Sequence, residues 1–232
     1  MHNLPIQPSR RALMISGVTL AVGALAQSTK TFTTPAPERV TIKPPKVPAA
    51  PRIARPNSRF DVEPKLLERA LAALNRHSSA IRERDRIAIV DFDAPSSEPR
   101  LHFLDVVSGK ATRMLVAHGS GSDPGHTGYL KTFSNAFGSN ASSEGAFLTD
   151  DYYVGKHGRS QRLLGLDHTN NNALARAVVV HSAWYANDDM ISAHGKLGRS
   201  QGCFAVGEDK LDDVFAFLGK GRMIYADRMG AA

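Results

Sequence analysis

Short apolar runs between Arg86 and the C-terminus restrict the fold more than any other feature of this sequence. Each run is three to six residues long, which fits a strand and is too short for a helix. The segment Val107–Lys110 separates two of the runs and contains a glycine, as is typical of a hairpin turn. Strands at this spacing, with few helices between them, predict a mainly β domain over residues 85–232. The predicted strands are Ile87–Phe92, Leu101–Val106, Arg113–Ala117, Ala146–Leu148, Tyr152–Val154, Arg162–Leu166, Ala177–His181 and Arg222–Ala226.

Three segments have a helical pattern instead. Between Asp61 and Arg84, apolar residues recur every three or four positions and Pro64 falls in the first turn, so an amphipathic helix is predicted for residues 60–84. We expect this helix to pack on the β domain. A short helix is predicted at Asn172–Arg176, and a longer one with an apolar face at Glu208–Leu218.

The N-terminus predicts export. An arginine pair in Ser9-Arg10-Arg11-Ala12-Leu13 precedes an almost uncharged apolar stretch that ends at Ala26. This pattern predicts a signal peptide over residues 1–26, with cleavage before Gln27, and a periplasmic or cell-envelope location. The paired arginines resemble a twin-arginine export signal, although Sec signals also tolerate them. An uncleaved N-terminal anchor is the alternative interpretation.

Residues 27–59 carry most of the positive charge. They contain seven prolines, seven basic residues and one acid, for a net charge of +6, whereas residues 60–232 have a net charge of −1. Because large apolar residues are almost absent, we predict a disordered, proline-rich linker. A basic linker of this kind favours weak association with anionic lipid or cell-wall polymer. The folded part is nearly neutral and has no nucleic-acid motif, so nucleic acid is not an expected partner.

Cys203 is the only cysteine, so it cannot form an intramolecular disulfide. Its neighbours from Gly198 to Gly202 are small or polar, which favours a reactive thiol over a buried structural one. Gly202 lets the backbone pass close to a carbonyl, so the N–H groups of Gly202 and Cys203 could form an oxyanion hole. His181 ends a predicted buried strand and is the candidate general base.

His181, a loop of 18 residues, and then Ser200-Gln201-Gly202-Cys203 together resemble the active-site signature of the L,D-transpeptidases, cell-wall enzymes with a YkuD-like fold. The usual pattern is Ser/Thr-His-Gly-Cys, so Gln201 indicates a divergent branch. The resemblance covers about residues 86–227 and includes the run from Ser142 to Phe147. It implies a β-sandwich or barrel catalytic domain with a few short helices.

The resemblance also implies a mechanism without a cofactor or metal. Cys203, activated by His181, would attack a peptidoglycan stem tetrapeptide and release D-alanine through a thioacyl-enzyme, and the acyl group would pass to an amine. A backbone carbonyl is the expected orienter of His181, and we expect a monomer. Two alternatives are an L,D-carboxypeptidase or related murein peptidase, with water as the acceptor, and a non-catalytic cell-wall binding module. A zinc site is not favoured, because no closely spaced pair of ligands is present.

Further residues are candidates for substrate binding. Arg199 could clamp a substrate carboxylate or form a surface ion pair. Ser200 could donate to the thiol or close a turn. Trp184 and Tyr185 could wall the cleft or belong to the core, and His194 could reach the cleft from the intervening loop.

Overall fold

The structure is a computed structural model that describes residues 60–230. The predicted signal peptide and the predicted linker both lie outside the described residues. Eight strands form a single sheet in the described part, in the order β3-β2-β1-β8-β4-β5-β6-β7, so the prediction of a mainly β fold is confirmed. The strands are β1 (Arg86–Asp91), β2 (Leu101–Asp105), β3 (Lys110–Met114), β4 (Gly145–Gly155), β5 (Gly158–Gly165), β6 (Val179–Ser182), β7 (Phe204–Val206) and β8 (Met223–Asp227).

The helices within residues 60–230 are short. They are α1 (Pro64–Arg76), α2 (Asp189–His194) and α3 (Leu211–Leu218), with 3-10 turns at Ser120–Ser122 and Trp184–Ala186. None of the helices in this range is both long enough and apolar enough to cross a bilayer.

The sheet curls until its two edges meet. β3 and β7 lie at opposite ends of the strand order. Ala117, three residues beyond β3, nevertheless forms an isolated antiparallel bridge with Ala205 in β7, where its N–H donates to the Ala205 carbonyl at 2.9 Å. This contact gives the sheet the closed character expected of a sandwich or barrel.

Apolar side chains fill the enclosed face of the curled sheet. Val180 and Phe204 belong to this core together with Val214 and Phe215 of α3. Because side chains alternate along a strand, the residues next to Val180 and Phe204 point to the opposite face. The burial of this core supplies the main driving force for folding and fixes β6 and β7 side by side.

Helix α1 covers the outer face of the sheet. Leu66, Ala70 and Leu74 are buried against Ile87 of β1 and other residues of β1, β4 and β8. The helix begins where the Glu63 carboxylate accepts the Leu66 N–H. It ends at Arg76, so the prediction that the helix extends to Arg84 is wrong.

The early end of α1 has a local cause. Residues 77–80 form turns in which Ser78 and Ser79 are poor helix formers. His77 Nε2 pairs with the Asp167 carboxylate at 2.8 Å, and the Ile81 N–H bonds to the His77 carbonyl at 2.9 Å. Ile81 is buried in the same apolar cluster as α1, which accounts for the apparent continuation of the helical pattern.

Several other boundaries differ from the predictions. The predicted strands Ala146–Leu148 and Tyr152–Val154 are two parts of β4, which has a register shift between Thr149 and Tyr152. The predicted helix at Asn172–Arg176 is a series of turns. Helix α3 begins three residues later than Glu208. The predicted strand Arg113–Ala117 is wrong in its bounds, since β3 spans Lys110–Met114, and β7 was not predicted. These differences arise where a bulge or a side-chain contact interrupts the local pattern.

Candidate active site

The parallel pair β6–β7 places His181 and Cys203 on the same face of the sheet. His181 lies opposite Ala205, and Cys203 immediately precedes Phe204, which lies opposite Val180. Since Val180 and Phe204 face the core, His181 and Cys203 point outward. Both line a cleft of about 480 Å³. Its lining residues are Tyr153, Lys156, His157, Arg176, Ala177, His181, Tyr185, Arg199, Ser200, Gln201 and Cys203.

Gly202 occupies a conformation that requires glycine. Its φ is +108°, and a Cβ added there would lie 2.6 Å from the Ala141 carbonyl oxygen. The Ser200 hydroxyl closes the turn, because it accepts the Gly202 N–H at 3.1 Å and donates to the Cys203 carbonyl at 2.7 Å. Ser200 therefore closes a turn rather than donating to the thiol. This bond also occupies the Gly202 N–H, which was predicted to face an oxyanion.

The Cys203 thiol is held in its neutral form. Cys203 is 7% exposed, and its Sγ donates to the Ala177 carbonyl at 3.6 Å. Burial raises the pKa of the thiol, while the Val179 N–H and the positive charges of Lys156 and Arg176 act in the opposite direction. Ala177 has a φ of +55°, which is uncommon for a residue with a side chain.

His181 has the tautomer that a general base requires. Its Nδ1–H donates to the Ser182 carbonyl at 2.9 Å, which is the orienting backbone carbonyl expected from the sequence. Nε2 is then the unprotonated nitrogen, and it is buried without a hydrogen-bond partner among the described residues. Burial lowers the pKa of His181, and His157 and Lys156 act in the same direction. The imidazole is therefore ready to accept a proton at neutral pH.

The tip of the β4–β5 hairpin reaches His181. The His157 ring stacks on the His181 ring, with centroids 4.5 Å apart and planes at 22°. Lys156, beside it, also lines the cleft. Sequence reasoning missed both residues. Gly155 and Gly158 mark a turn, but the position of that turn depends on the pairing of Ser160 with His181.

Arg176 is another cleft residue that sequence reasoning missed. Its Nη1 donates to the Ser134 carbonyl at 2.8 Å, and its Nη2 donates to the Ala141 carbonyl at 2.6 Å. A Cβ at Gly202 would lie 3.1 Å from Nη2, so the guanidinium is beside the nucleophile turn. Burial lowers the pKa of Arg176, and Cys203 opposes this shift. Arg176 thus holds the 134–141 loop against the turn that carries Cys203.

Arg199 lines the cleft, as expected for a carboxylate clamp, and it also donates to the backbone carbonyls of Asp123 and Pro124. Together with Lys156 and Arg176 it gives the cleft three cationic residues. The residues that line the cleft include no aspartate or glutamate. Such a cleft favours an anionic ligand.

Of three further residues predicted to contact the substrate, only one lines the cleft. Tyr185 lines the cleft. Trp184 is 66% exposed and lies outside the lining, with its ring centroid 5.9 Å from that of Tyr185. His194 is exposed at the end of α2 and does not line the cleft, which corrects the prediction that it reaches the site. His194 is the last residue of α2, which ends at the left-handed Gly195, and no residue of this helix is buried.

Within residues 60–230, no group of three or more His, Cys, Asp or Glu side chains is placed to hold a metal ion. In particular, His194 lies outside the cleft that contains His181 and Cys203.

Comparison with known proteins gives a family match. Residues 58–226 match the family model of the L,D-transpeptidase catalytic domain. No curated protein matches the chain in sequence.

The chain is also similar to solved structures. An L,D-transpeptidase from Mycobacterium smegmatis is 14% identical over 62% of this chain and 58% of its own length, with a TM-score of 0.38. The helical cell shape determining protein Pgp2 from Campylobacter jejuni is 10% identical over 68% and 56%, with a TM-score of 0.40. An L,D-transpeptidase from Xylanimonas cellulosilytica is 13% identical over 78% and 100%, with a TM-score of 0.37. The chain thus spans less than three fifths of the length of the first two proteins.

Proposed function

The chain belongs to the L,D-transpeptidase catalytic domain family, and from this premise we propose that it is a cysteine-dependent peptidoglycan L,D-transpeptidase. One observation carries the proposal. The buried, unpartnered Nε2 of His181 and the thiol of Cys203 belong to side chains that line the same cleft. A base with a free lone pair and a nucleophile in one cleft are the two groups that covalent acyl transfer needs.

The first half-reaction acylates the enzyme. The Cys203 side chain rotates away from the Ala177 carbonyl, and His181 Nε2 takes the thiol proton as Sγ attacks the carbonyl carbon of the third stem residue. The resulting imidazolium then gives its proton to the nitrogen of the terminal D-alanine. The carbon–nitrogen bond breaks, D-alanine leaves, and a thioester between Cys203 and the stem peptide is left.

The second half-reaction releases the acyl group. An amine of a neighbouring stem peptide attacks the thioester carbonyl, and His181 Nε2 takes a proton from that amine. The new amide forms as the carbon–sulfur bond breaks, and the thiolate regains the proton from the imidazolium. If water attacks instead, the same steps give a carboxypeptidase, so the alternative needs no other residue.

The oxyanion needs backbone donors. The Cys203 N–H is the first donor that we propose. The Gly202 N–H becomes the second when it leaves the Ser200 hydroxyl and turns to the developing negative charge. Loss of one such donor costs about a hundred- to a thousandfold in rate in comparable sites. The absence of a side chain at residue 202 is consistent with this role, because a glycine lets the backbone approach a bound carbonyl closely.

The charge of the cleft supports a stem peptide as the acyl donor. Such a peptide carries free carboxylates, and Arg199 and Lys156 lie in a cleft lined by no acidic residue. Arg199 can offer a bidentate contact to a carboxylate, whereas the Lys156 ammonium acts as a point charge.

We also propose that the protein is exported to the periplasm or cell envelope and that residues 27–59 tether it near cell-wall polymer. The arginine pair and apolar stretch of residues 1–26, followed by the basic linker, support this proposal. Deletion of residues 27–59 should leave turnover of a small soluble substrate unchanged and weaken co-sedimentation with purified sacculi.

Product analysis tests the proposed reaction. The purified protein is incubated with a disaccharide-tetrapeptide and an excess of D-methionine as the acceptor amine, with Cys203→Ala as the control. We expect D-alanine release and a product that contains D-methionine, both absent from the control. Release of D-alanine with only the tripeptide product would favour the L,D-carboxypeptidase instead. Binding to sacculi with no D-alanine release from either protein would favour the non-catalytic module.

A further inference from the structure

Trp184 is the only tryptophan of the chain, and 66% of its surface is exposed. It begins the 3-10 turn Trp184–Ala186 and precedes Tyr185, which lines the cleft. An indole gains much from burial, so an exposed tryptophan next to a cleft-lining residue is a candidate contact for a bound ligand.

The backbone that carries Trp184 is fixed before any ligand binds. The Ala186 N–H donates to the Ala183 carbonyl at 2.9 Å, and the Gly198 N–H donates to the Tyr185 carbonyl at 2.7 Å. A Cβ on Gly198 would lie 2.6 Å from the Tyr185 Cβ, so this glycine packs directly on the tyrosine. Such a rigid platform lowers the entropy cost of binding.

The position of Trp184 fits one part of the proposed substrate. In a stem peptide, the acyl carbonyl at the third residue is joined to the glycan through three residues, which span about 10 Å when extended. With that carbonyl at Cys203, the saccharide would lie up to about 10 Å from the thiol. The Trp184 ring centroid lies 5.9 Å from that of Tyr185, which lines the cleft, whereas Trp184 itself does not belong to the lining.

The charged residues of the cleft and the uncharged Trp184 suit different parts of the substrate. Lys156 and Arg199 offer positive charge to the carboxylates of the peptide, whereas Trp184 offers an uncharged aromatic face. A pyranose ring has a face of C–H groups that packs on an aromatic ring, and its hydroxyls can accept the indole N–H.

We propose that Trp184 binds a saccharide ring of the glycan strand that bears the stem peptide. This inference rests on the proposed function and adds a second recognition element to it. The enzyme would therefore recognise two parts of its acyl donor, the anionic peptide inside the cleft and the neutral sugar at Trp184.

A pair of acyl donors tests the proposal. The kcat/KM for D-alanine release is measured with a disaccharide-tetrapeptide and with the free tetrapeptide, for the wild type and for Trp184→Ala. We expect the wild type to prefer the disaccharide donor by about three- to tenfold, and Trp184→Ala to reduce this ratio to about one. Trp184→Phe, which keeps an aromatic face, should retain part of the preference.

Phe137→Ala is the matched control, because Phe137 is 64% exposed and does not line the cleft. This variant should keep the wild-type ratio. Equal turnover of the two donors by the wild type, or equal losses on both donors in Trp184→Ala, would overturn the saccharide contact. Either result leaves the proposed function intact, since D-alanine is still released. Absence of D-alanine from both donors with the wild type would overturn the proposed function and the saccharide contact together.

Discussion

Two buried histidines illustrate how neighbours decide the role of a residue. His118 and His181 are 0% and 1% exposed, and each has an Nε2 without a hydrogen bond among the described residues. Both lie where the two edges of the curled sheet meet, and burial lowers the pKa of both. They differ in what surrounds the ring. His181 lines a cleft that also contains a thiol, whereas His118 is enclosed.

Charged groups enclose His118. Arg100 is fully buried, and its Nη2 donates to His118 Nδ1 at 2.7 Å. On the other side, His118 Nε2 lies 3.4 Å from the Asp123 carboxylate, a contact that is close but poorly aligned for a hydrogen bond. Burial lowers the pKa of His118 to about 4, and Arg100 adds to the shift. This histidine is therefore neutral and structural at neutral pH.

The enclosed cluster still supports the catalytic edge. The Ser200 N–H donates to the His118 carbonyl at 2.9 Å, and Arg199 donates to the Asp123 carbonyl. The backbone around Cys203 therefore rests on a segment that Arg100 and His118 hold in place. The comparison teaches that burial and a lowered pKa do not identify a catalytic base, whereas access of the free nitrogen to a nucleophile does.

Matched substitution of the two histidines should give the largest contrast. His181→Gln removes the general base, so we expect kcat for D-alanine release to fall about a hundred- to ten-thousandfold. His118→Gln cannot keep both the Arg100 and the Asp123 contacts, so it should lower the free energy of unfolding by about 1–3 kcal/mol. Urea denaturation and steady-state turnover measure the two effects. A fully folded His118→Gln protein that loses as much kcat as His181→Gln would break the distinction.

Arg100 beside His118 and Arg199 at the cleft should differ in how much each contributes to the free energy of unfolding. Arg100 donates Nε and Nη2 to the Val116 carbonyl at 3.1 and 2.9 Å, inside the protein. Arg100→Met leaves this carbonyl, the Ala94 carbonyl and His118 Nδ1 without their donor. Because each unsatisfied buried polar group costs about 1–3 kcal/mol, the free energy of unfolding should fall by about 3–5 kcal/mol. Arg199→Met at the cleft is only partly buried and should cost less than about 1 kcal/mol. Similar losses for the two variants in urea denaturation would contradict this difference.

The pH dependence of stability should report His118. In the folded protein its pKa is about 4, against 6.5 for an ordinary histidine, so only the unfolded chain takes up the proton between these values. The contribution of His118 is fully present above pH 6.5 and is lost as the pH falls towards 4, by about 3 kcal/mol. Urea midpoints between pH 7 and 4 should therefore fall less steeply in His118→Gln than in the wild type. Parallel curves would show that His118 can be protonated in the fold.

The smallest effect should come from the hairpin tip. Lys156 is one of the positive charges that lower the pKa of His181, after burial. Lys156→Ala should raise that pKa, and the acid limb of the kcat/KM profile should move to higher pH, because neutral His181 is the active form. Lys65→Ala, an exposed lysine on α1, serves as the control. A limb that moves to lower pH would mean that Lys156 does not act on His181 through its charge.

Local sequence patterns predicted much of the fold. Most strands overlap the predicted runs because these runs are short and apolar, and α3 appears because its apolar face has helical spacing. β3 is an exception, since its residues are mostly exposed and it begins three residues before the predicted Arg113. β7 was not predicted, because it is only three residues long. The closure between Ala117 and Ala205 could not be predicted, since it joins residues that are distant in sequence. The end of α1 was missed because a tertiary contact of His77 replaces the next helical turn.

The site was predictable only in part, for the same reason. His181 and Cys203 could be found because their types and spacing form a pattern within one short segment. Arg176, His157 and Arg100 have no such local signal. Their positions depend on a loop contact, a hairpin pairing and a buried charge, which only the folded chain brings together.

Intact-mass spectrometry of the protein after mixing with a disaccharide-tetrapeptide tests the role of the His181–Cys203 pair most directly. The wild type should gain the mass of the substrate less D-alanine, and digestion should locate this increment on Cys203. Cys203→Ala should gain nothing, and His181→Gln should form the adduct at least about a hundredfold more slowly. D-alanine released at the wild-type rate by Cys203→Ala, without any adduct, would contradict a thioacyl-enzyme.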